Sequence, residues 1–383
     1  MRVLELLDRL IAFPTVSSDS NLALVDWAQA QLAGVGFEVT RVPSSCGEKA
    51  GLIARRGGDG GLVLSAHTDV VPASGQAWTR DPFALAREGD RLFGRGTTDM
   101  KGFVACCLAL AEELPESAGP LAIVLSWDEE VGCRGIPQMM PAVRELLPDP
   151  ALCVVGEPTS LVMATGHKGK AAYRATCRGE AGHSAMAPRF RNALHVACDL
   201  VAAVRAEQAR LMAEGAQDPG YDVPCSTLHV GTLHGGTALN IVPDRAEVAF
   251  EIRHLASETP EAILPRVMAG LEDVELEQTI AYPGLDTDPE QPALVRLRGL
   301  AQGTGKVSYG TESGYFAAAG IPTVVWGPGD MAQGHQPDEF IELSQLVDCM
   351  VFKALFIWSP QLNPQLYFFS VIDMPKLRLI IST

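Results

Sequence analysis

Two histidines and a set of acidic residues stand at the ends of apolar runs in this chain. Leu62-Val-Leu-Ser-Ala-His67 is a strand-type stretch that closes on an imidazole, and Asp69 follows two residues later. Gly94-Arg-Gly-Thr-Thr-Asp99 is a glycine-punctuated turn that carries a carboxylate into the apolar helix 103–113. The strand-like run 121–127 leads into Asp128-Glu129-Glu130, and the run 151–155 into Gly156-Glu157. The run 321–326 precedes His335 across a short loop. His67 to Asp99 is 32 residues, Asp99 to Glu130 is 31 and Glu130 to Glu157 is 27, each close to one βαβ unit of about 30 residues. A parallel sheet collects the C-terminal ends of its strands at one edge, where open α/β folds place their chemistry.

Two imidazoles and several carboxylates gathered there repel unless cations offset them. Nitrogen and carboxylate-oxygen donors at low coordination number suit Zn²⁺, with Co²⁺ or Mn²⁺ as substitutes. Five such donors exceed what one catalytic zinc takes, but they serve two ions if one carboxylate bridges. Such a pair generates a nucleophile from water near neutral pH, and a carboxylate must still take the proton. Of the adjacent Glu129 and Glu130 only one readily coordinates, which leaves the other as base. Singly, each residue has an ordinary reading: His67 and Asp69 as a hydrogen-bonded pair, Glu129-Glu130 as a solvated turn, Asp99 as a helix cap, Arg253 as a strand surface residue. Their joint position at one sheet edge favours the metal reading.

The elements that must position these residues follow from periodicity. Leu4, Leu7, Leu10 and Ile11 recur at helical spacing, and Pro14 stops that helix. A second helix is expected over 21–35 and an alternating strand over 37–42. After 166 the pattern changes: 171–178, 225–233 and 246–253 alternate, with helical stretches at 191–214 and 260–270. The α/β style returns from about Gly284, with helices over 291–301 and 312–319. The expected fold is therefore α/β, a catalytic domain (1–169 and 284–383) with a mainly parallel central sheet flanked by helices, interrupted by an inserted α+β domain at 170–283. From about Trp358 the chain carries Pro360, Pro364 and Pro375 among apolar residues such as Leu366-Tyr-Phe-Phe369, and no function is assigned to that stretch.

Composition narrows the partners. The chain has 383 residues, is 47% hydrophobic and 20% charged, and carries a formal net charge of −16. That charge argues against nucleic acid as a partner. The nine cysteines are odd in number and form no CxxC pair, so reduced, mostly buried thiols are expected. Neither a secretory signal nor a membrane-length apolar run is found, and a cytoplasmic location is expected.

The motifs Ser65-Ala-His67-Thr-Asp69-Val-Val-Pro72, Gly94–Phe103, Asp128-Glu129-Glu130-Val-Gly132, Gly156-Glu157-Pro158-Thr159 and Gly334-His335 resemble, in order, those of the dizinc M20 metallopeptidase/aminoacylase family. The resemblance runs from about residue 10 to 355. Gly156–Ser160, Gly166-His-Lys-Gly169, Gly179–Ser184 and Gly310–Gly314 are most similar to the family's acetylornithine deacetylase branch, with succinyl-diaminopimelate desuccinylases close by. The resemblance implies that His67 and Glu157 bind one metal, that Glu130 and His335 bind the other, and that Asp99 bridges across a cis Asp99–Met100 peptide. It implies Asp69 as the partner of the far nitrogen of His67, and Glu129 as general base. It further implies that His183 reaches the partner subunit's site in a homodimer built through the inserted lid. Asn240 and Arg253 would meet substrate near the lid–core cleft, and Thr311 from the core side. The implied reaction is hydrolysis of an N-acyl amino acid, N²-acetyl-L-ornithine foremost, with two zinc or cobalt ions. A desuccinylase, another N-acyl-amino-acid hydrolase or a dipeptidase shares the machinery. A silent binding protein on the same fold would lack a ligand or the base, and none is missing.

Overall fold

The structure, a computed structural model, describes residues 1–115 and 118–350; the atypical stretch from Trp358 lies outside them. Its strands in chain order are β1 (Glu38–Pro43), β2 (Ala50–Arg56), β3 (Leu62–His67), β4 (Ala86–Glu88), β5 (Arg91–Phe93), β6 (Leu121–Ser126), β7 (Leu152–Val155), β8 (Met163–His167), β9 (Gly169–Arg178), β10 (Gly182–His183), β11 (Thr227–Gly235), β12 (Ile241–Val242), β13 (Arg245–His254), β14 (Val274–Tyr282), β15 (Leu285–Asp286), β16 (Thr304–Val307), β17 (Thr323–Val325) and β18 (Phe340–Glu342). The principal helices are α1 (Arg2–Ile11), α2 (Leu22–Gly34), α3 (Gly102–Glu113), α4 (Ile136–Leu146), α5 (Ala193–Glu214) and α6 (Pro260–Val267).

The chain divides into two compact units. The first comprises Met1–Ala164, Pro289–Thr304 and the described residues from Ala319 onward; the second comprises Thr165–Asp288 and Gly305–Ala318. The expected boundaries at 169/170 and 283/284 differ from this division by a few residues. One assignment differs more: 305–318, read from sequence as part of the catalytic domain, falls in the second unit. Its side chains bind there, with the Lys306 ammonium donating to Asp218 and Asp286 and the Thr311 hydroxyl to Ser313, beside His167.

In the first unit the strand order is β1-β2-β6-β3-β7-β17. β3 runs parallel to both β6 and β7, and β17 runs parallel to β7, while β1 and β2 complete the sheet antiparallel. Every residue of β3, β6 and β7 is buried, as expected of parallel strands covered on both faces. Leu6, Leu7 and Leu10 of α1, Leu24 and Leu32 of α2 and the nearly all-apolar α3 join them in one core. Because β6 and β7 lie on opposite sides of β3, the chain crosses over β3 between them, the arrangement in which open α/β sheets bind ligands at the C-terminal strand ends. The short strands β18, β5 and β4 form a separate antiparallel sheet.

The second unit holds an antiparallel sheet in the order β11-β13-β9-β14, with α5 and α6 packed against β9 and β13. β10 and β12 form a two-stranded ribbon that pairs His183 with Ile241. The α+β character matches expectation. β14 is an additional strand: its residues Glu275 and Glu277 lie opposite Thr176 and Arg174 on the outer face of the sheet and are exposed, as is Gln278, and their polarity hid it.

Candidate metal centre

Each site residue of the first unit leaves its element where the sheet ends. His67 is the last residue of β3, Glu129 and Glu130 follow β6, and Glu157 follows β7 after Gly156. A Cβ on Gly156 would lie 1.9 Å from the Phe103 ring, so glycine is what lets this backbone pass against α3. Asp99 comes from the turn Thr97–Lys101 ahead of α3, with its peptide to Met100 cis. His335 adopts φ 62° in the loop after β17, a left-handed conformation rare for a non-glycine residue.

These side chains converge. His67 Nε2 lies 3.1 Å from Asp99 Oδ1 and 3.7 Å from Glu157 Oε1. His335 Nε2 lies 3.2 Å from Asp99 Oδ2 and 3.0 Å from Glu130 Oε2. The two oxygens of Asp99 thus face different imidazoles. Ligand atoms of His67, Glu129 and Glu157 lie within 4.8 Å of one another, as do those of His67, Asp99 and Glu130. His67 Nδ1 points away from this cluster and sits 2.9 Å from the main-chain carbonyl of Asp69, closer than the 3.5 Å to Asp69 Oδ1. That bond places the proton on Nδ1 and turns the Nε2 lone pair inward. The Asp69 carboxylate, beside Nδ1 as expected, also accepts the Ser17 hydroxyl (2.7 Å) and the backbone N–H groups of Glu129 (3.1 Å) and Glu130 (3.3 Å).

The electrostatics are those of crowded acids. Burial, reinforced by the neighbouring carboxylates, pushes Glu129 up to about 8 and Glu130 up to about 7. Glu157 is held well above the carboxylate range by burial and by Asp99. Hydrogen bonds to Asp99 and Glu130 raise His335 to about 10. Burial opposes the charge on Asp99, but the two histidines outweigh it and hold its carboxyl low. Glu130 Oε1 and Glu157 Oε1 are buried with no hydrogen-bond partner. Buried carboxylate oxygens normally find one, so these two are candidates for metal ligation. Nitrogen and oxygen donors paired about one shared carboxylate fit two divalent cations.

A model of "Peptidase family M20/M25/M40" matches residues 63–359. The chain belongs to this family. An acetylornithine deacetylase of Myxococcus xanthus is 33% identical over 367 residues, which is 90% of this chain and 93% of that protein. One from Klebsiella pneumoniae (strain 342) is 35% identical over 363 residues, 88% of this chain and 92% of its own. Among solved structures, the M20 family metallo-carboxypeptidase Sso-CP2 from Sulfolobus solfataricus superposes with a TM-score of 0.74 at 16% identity, covering 92% of this chain and 98% of its own. The dinuclear metal-binding M20 peptidase YXEP of Bacillus subtilis gives 0.65 at 15%, covering 92% and 96%. The chain is an M20 metallo-hydrolase that acts on amide bonds, and its α/β fold is that of the family.

The other expected residues lie in the second unit. His183 is exposed at the end of β10, where Nδ1 accepts the Ala185 N–H at 3.1 Å. Asn240 is exposed beside it on the facing arm, and its carbonyl accepts the Ser184 N–H. Arg253 on β13 donates to Glu251 (3.0 Å) and to the Tyr282 hydroxyl (2.9 Å). Thr311 departs from expectation. It belongs to the second unit and is fully buried, with its hydroxyl 2.8 Å from Ser313 Oγ and 3.2 Å from His167 Nε2.

Sequence reasoning missed a buried scaffold under the metal cluster. Glu339 Oε1 accepts the N–H groups of Thr98 (2.9 Å) and Asp99 (3.1 Å), and its other oxygen takes Arg95 at 2.6 Å. Arg95 also donates to Gln76, whose amide donates to the His335 carbonyl at 2.7 Å. The backbones under Asp99 and His335 are thus tied through three side chains. Glu339 in Gln-Pro-Asp-Glu, four residues past His335, was the one available signal.

Proposed function

We propose that this M20 hydrolase removes the acyl group from the α-nitrogen of an amino acid, with N²-acetyl-L-ornithine as substrate and acetate and L-ornithine as products. The reading includes two zinc ions, a cytoplasmic place in arginine biosynthesis and a homodimer formed through the inserted domain. The substrate rests on the curated relatives, named acetylornithine deacetylase, at 31–35% identity. The observation that carries the chemistry is Asp99 between two imidazoles, with Glu130 beside one and Glu157 beside the other.

His67, Glu157 and Asp99 would hold one ion, and Asp99, Glu130 and His335 the other. When bound, such ions polarise the amide carbonyl and make water nucleophilic near neutral pH. Glu129 would take the proton from the attacking water and deliver it to the departing amine nitrogen. Its burial keeps its proton affinity in the range a base needs at neutral pH. Asp69 holds the two glutamates by their backbone, and its carbonyl holds the tautomer of His67. The partner subunit's His183 would steady the negative charge that develops on the amide oxygen. Asn240 and Arg253 would bind substrate, the guanidinium fork suiting an α-carboxylate. Thr311 offers substrate no exposed hydroxyl.

The test is a substrate panel with metal content measured on the same sample. N²-acetyl-L-ornithine is expected to turn over fastest against succinyl-diaminopimelate and dipeptides, at two metals per chain. A clear preference for either rival would overturn the substrate. The Glu129→Gln variant should keep both metals and lose about 10²- to 10⁴-fold in kcat; normal turnover would remove Glu129 as the base.

A further inference from the structure

The turn that carries Glu129 and Glu130 is held from two sides. Asp128 opens it at φ 56°, a left-handed conformation that aspartate tolerates better than most residues. The two glutamates then part, Glu129 toward His67 and Glu157, Glu130 toward His335. On one side the Asp69 carboxylate takes both their N–H groups. On the other, Lys49 Nζ lies 2.5 Å from Asp128 Oδ1 and 2.5 Å from the Ser17 carbonyl. Ser17 closes the ring, because its hydroxyl donates to the same Asp69 carboxylate. Lys49, Asp128, the Glu129–Glu130 backbone, Asp69 and Ser17 thus form one cycle of hydrogen bonds across four chain segments.

Lys49 enters this cycle from a fixed base. Its N–H donates to Ser44 Oγ and its carbonyl accepts the Ser44 N–H. The next residue, Ala50, is gripped by Asn21 through both N–H and C=O. Ser17 is fixed in turn, its N–H donating to the Val70 carbonyl. The Lys49 and Asp128 side chains are only 15% and 17% exposed, so salt screens their contact less than a surface pair, and hydrogen bonds between charged partners are the stronger kind.

We propose that Lys49 is a positioning residue for the general base. Resting on the reading of Glu129 as that base, it fixes the Asp128 turn so that the Glu129 carboxylate is aimed before substrate arrives. Without Lys49 the turn keeps Asp69, the Cys133 thiol on Glu129 and its own backbone bonds, Arg134 N–H to the Asp128 carbonyl and Gly132 and Cys133 N–H to that of Glu129, but it loses the side-chain anchor on Asp128, and a displacement of the base by about 1 Å costs on the order of 100-fold in rate.

The test compares Lys49→Met, Lys49→Arg and wild type, all metal-loaded, by hydrogen exchange and by kinetics. In Lys49→Met the amides of Glu129 and Glu130 should exchange about tenfold faster or more, with the amides of β3 and β6 unchanged. kcat should fall about 10- to 100-fold while KM moves by less than about twofold, and Lys49→Arg should recover most of both. Unchanged exchange and unchanged kcat in Lys49→Met would overturn the proposal. So would a loss of protection spread evenly over the first unit with no recovery in Lys49→Arg, since that marks a general structural role. Should Lys49→Met fail to fold, Asp128→Asn carries the same measurements, because asparagine keeps the left-handed backbone and removes the ion pair. Turnover surviving in Glu129→Gln would sink the base assignment alone and leave the exchange result standing.

Discussion

At the residue scale, the metal cluster exchanges protons for cations. Burial holds Glu129 near 8 and Glu130 near 7 without metal, so both are largely or partly protonated at neutral pH. A divalent ion favours the deprotonated forms, and loading must release protons. Calorimetric titration of the metal-free protein with Zn²⁺ at pH 7, in buffers of different ionisation enthalpy, should show net proton release. Affinity should keep rising with pH through 8 and toward about 10, because His335 must also give up its proton to bind. The residues of this cluster were legible in the sequence because their types are unusual after apolar strands. Lys49, Ser17, Arg95 and Glu339 were not, since Lys49–Asp128 and Arg95–Glu339 span 79 and 244 residues with no pattern between them. Thr311 was misplaced for a similar reason: only its contact with His167 reveals its surroundings.

At the element scale, the fully buried strands β3, β6 and β7 read directly from their largely apolar runs, and the convergence of the site follows from their parallel pairing; β8, Met163-Ala-Thr-Gly-His167, is as fully buried but carries no such run. Edge elements were the least visible. β14 alternates with charged residues, and the expected helix over 291–301 is a short turn at Pro292–Leu294 followed by Val295–Leu300. Gly156 meets the Phe103 ring so closely that any side chain there would clash. Gly156→Ala should force the ring or the strand end to move, costing about 1–3 kcal/mol. Chemical denaturation should show the lower midpoint, and metal affinity should fall with it, because Glu157 follows directly.

At the scale of the whole molecule, the two units should answer to different variables. The proposed metal donors all belong to the first, so metal should raise the protection of its amides, by about 4 kcal/mol at a thousandfold excess over Kd, without stabilising the second unit through direct ligation. The second unit carries His167, which burial lowers to about 4 from 6.5. Between those values the unfolded chain takes up a proton that the folded unit refuses. Stability is therefore intact above pH 6.5 and declines as pH falls toward 4, by on the order of 3 kcal/mol. Urea midpoints between pH 7 and pH 4 should follow this in wild type, and His167→Gln should flatten the slope. Among the described residues no helix is long and apolar enough to cross a membrane, and none of the nine cysteines is in a disulfide, seven of them being buried.

The pairing of Val16 with Val70, flanked by Thr15 and Ser17 bonding to Thr68, Asp69 and Val70, has a practical consequence. These bonds seat residues 15–17 directly under the segment that carries His67 and Asp69. A chain lacking residues 1–17 would keep His67, Asp99, Glu130, Glu157 and His335 yet lose that brace beneath His67. Such a chain should bind metal sub-stoichiometrically.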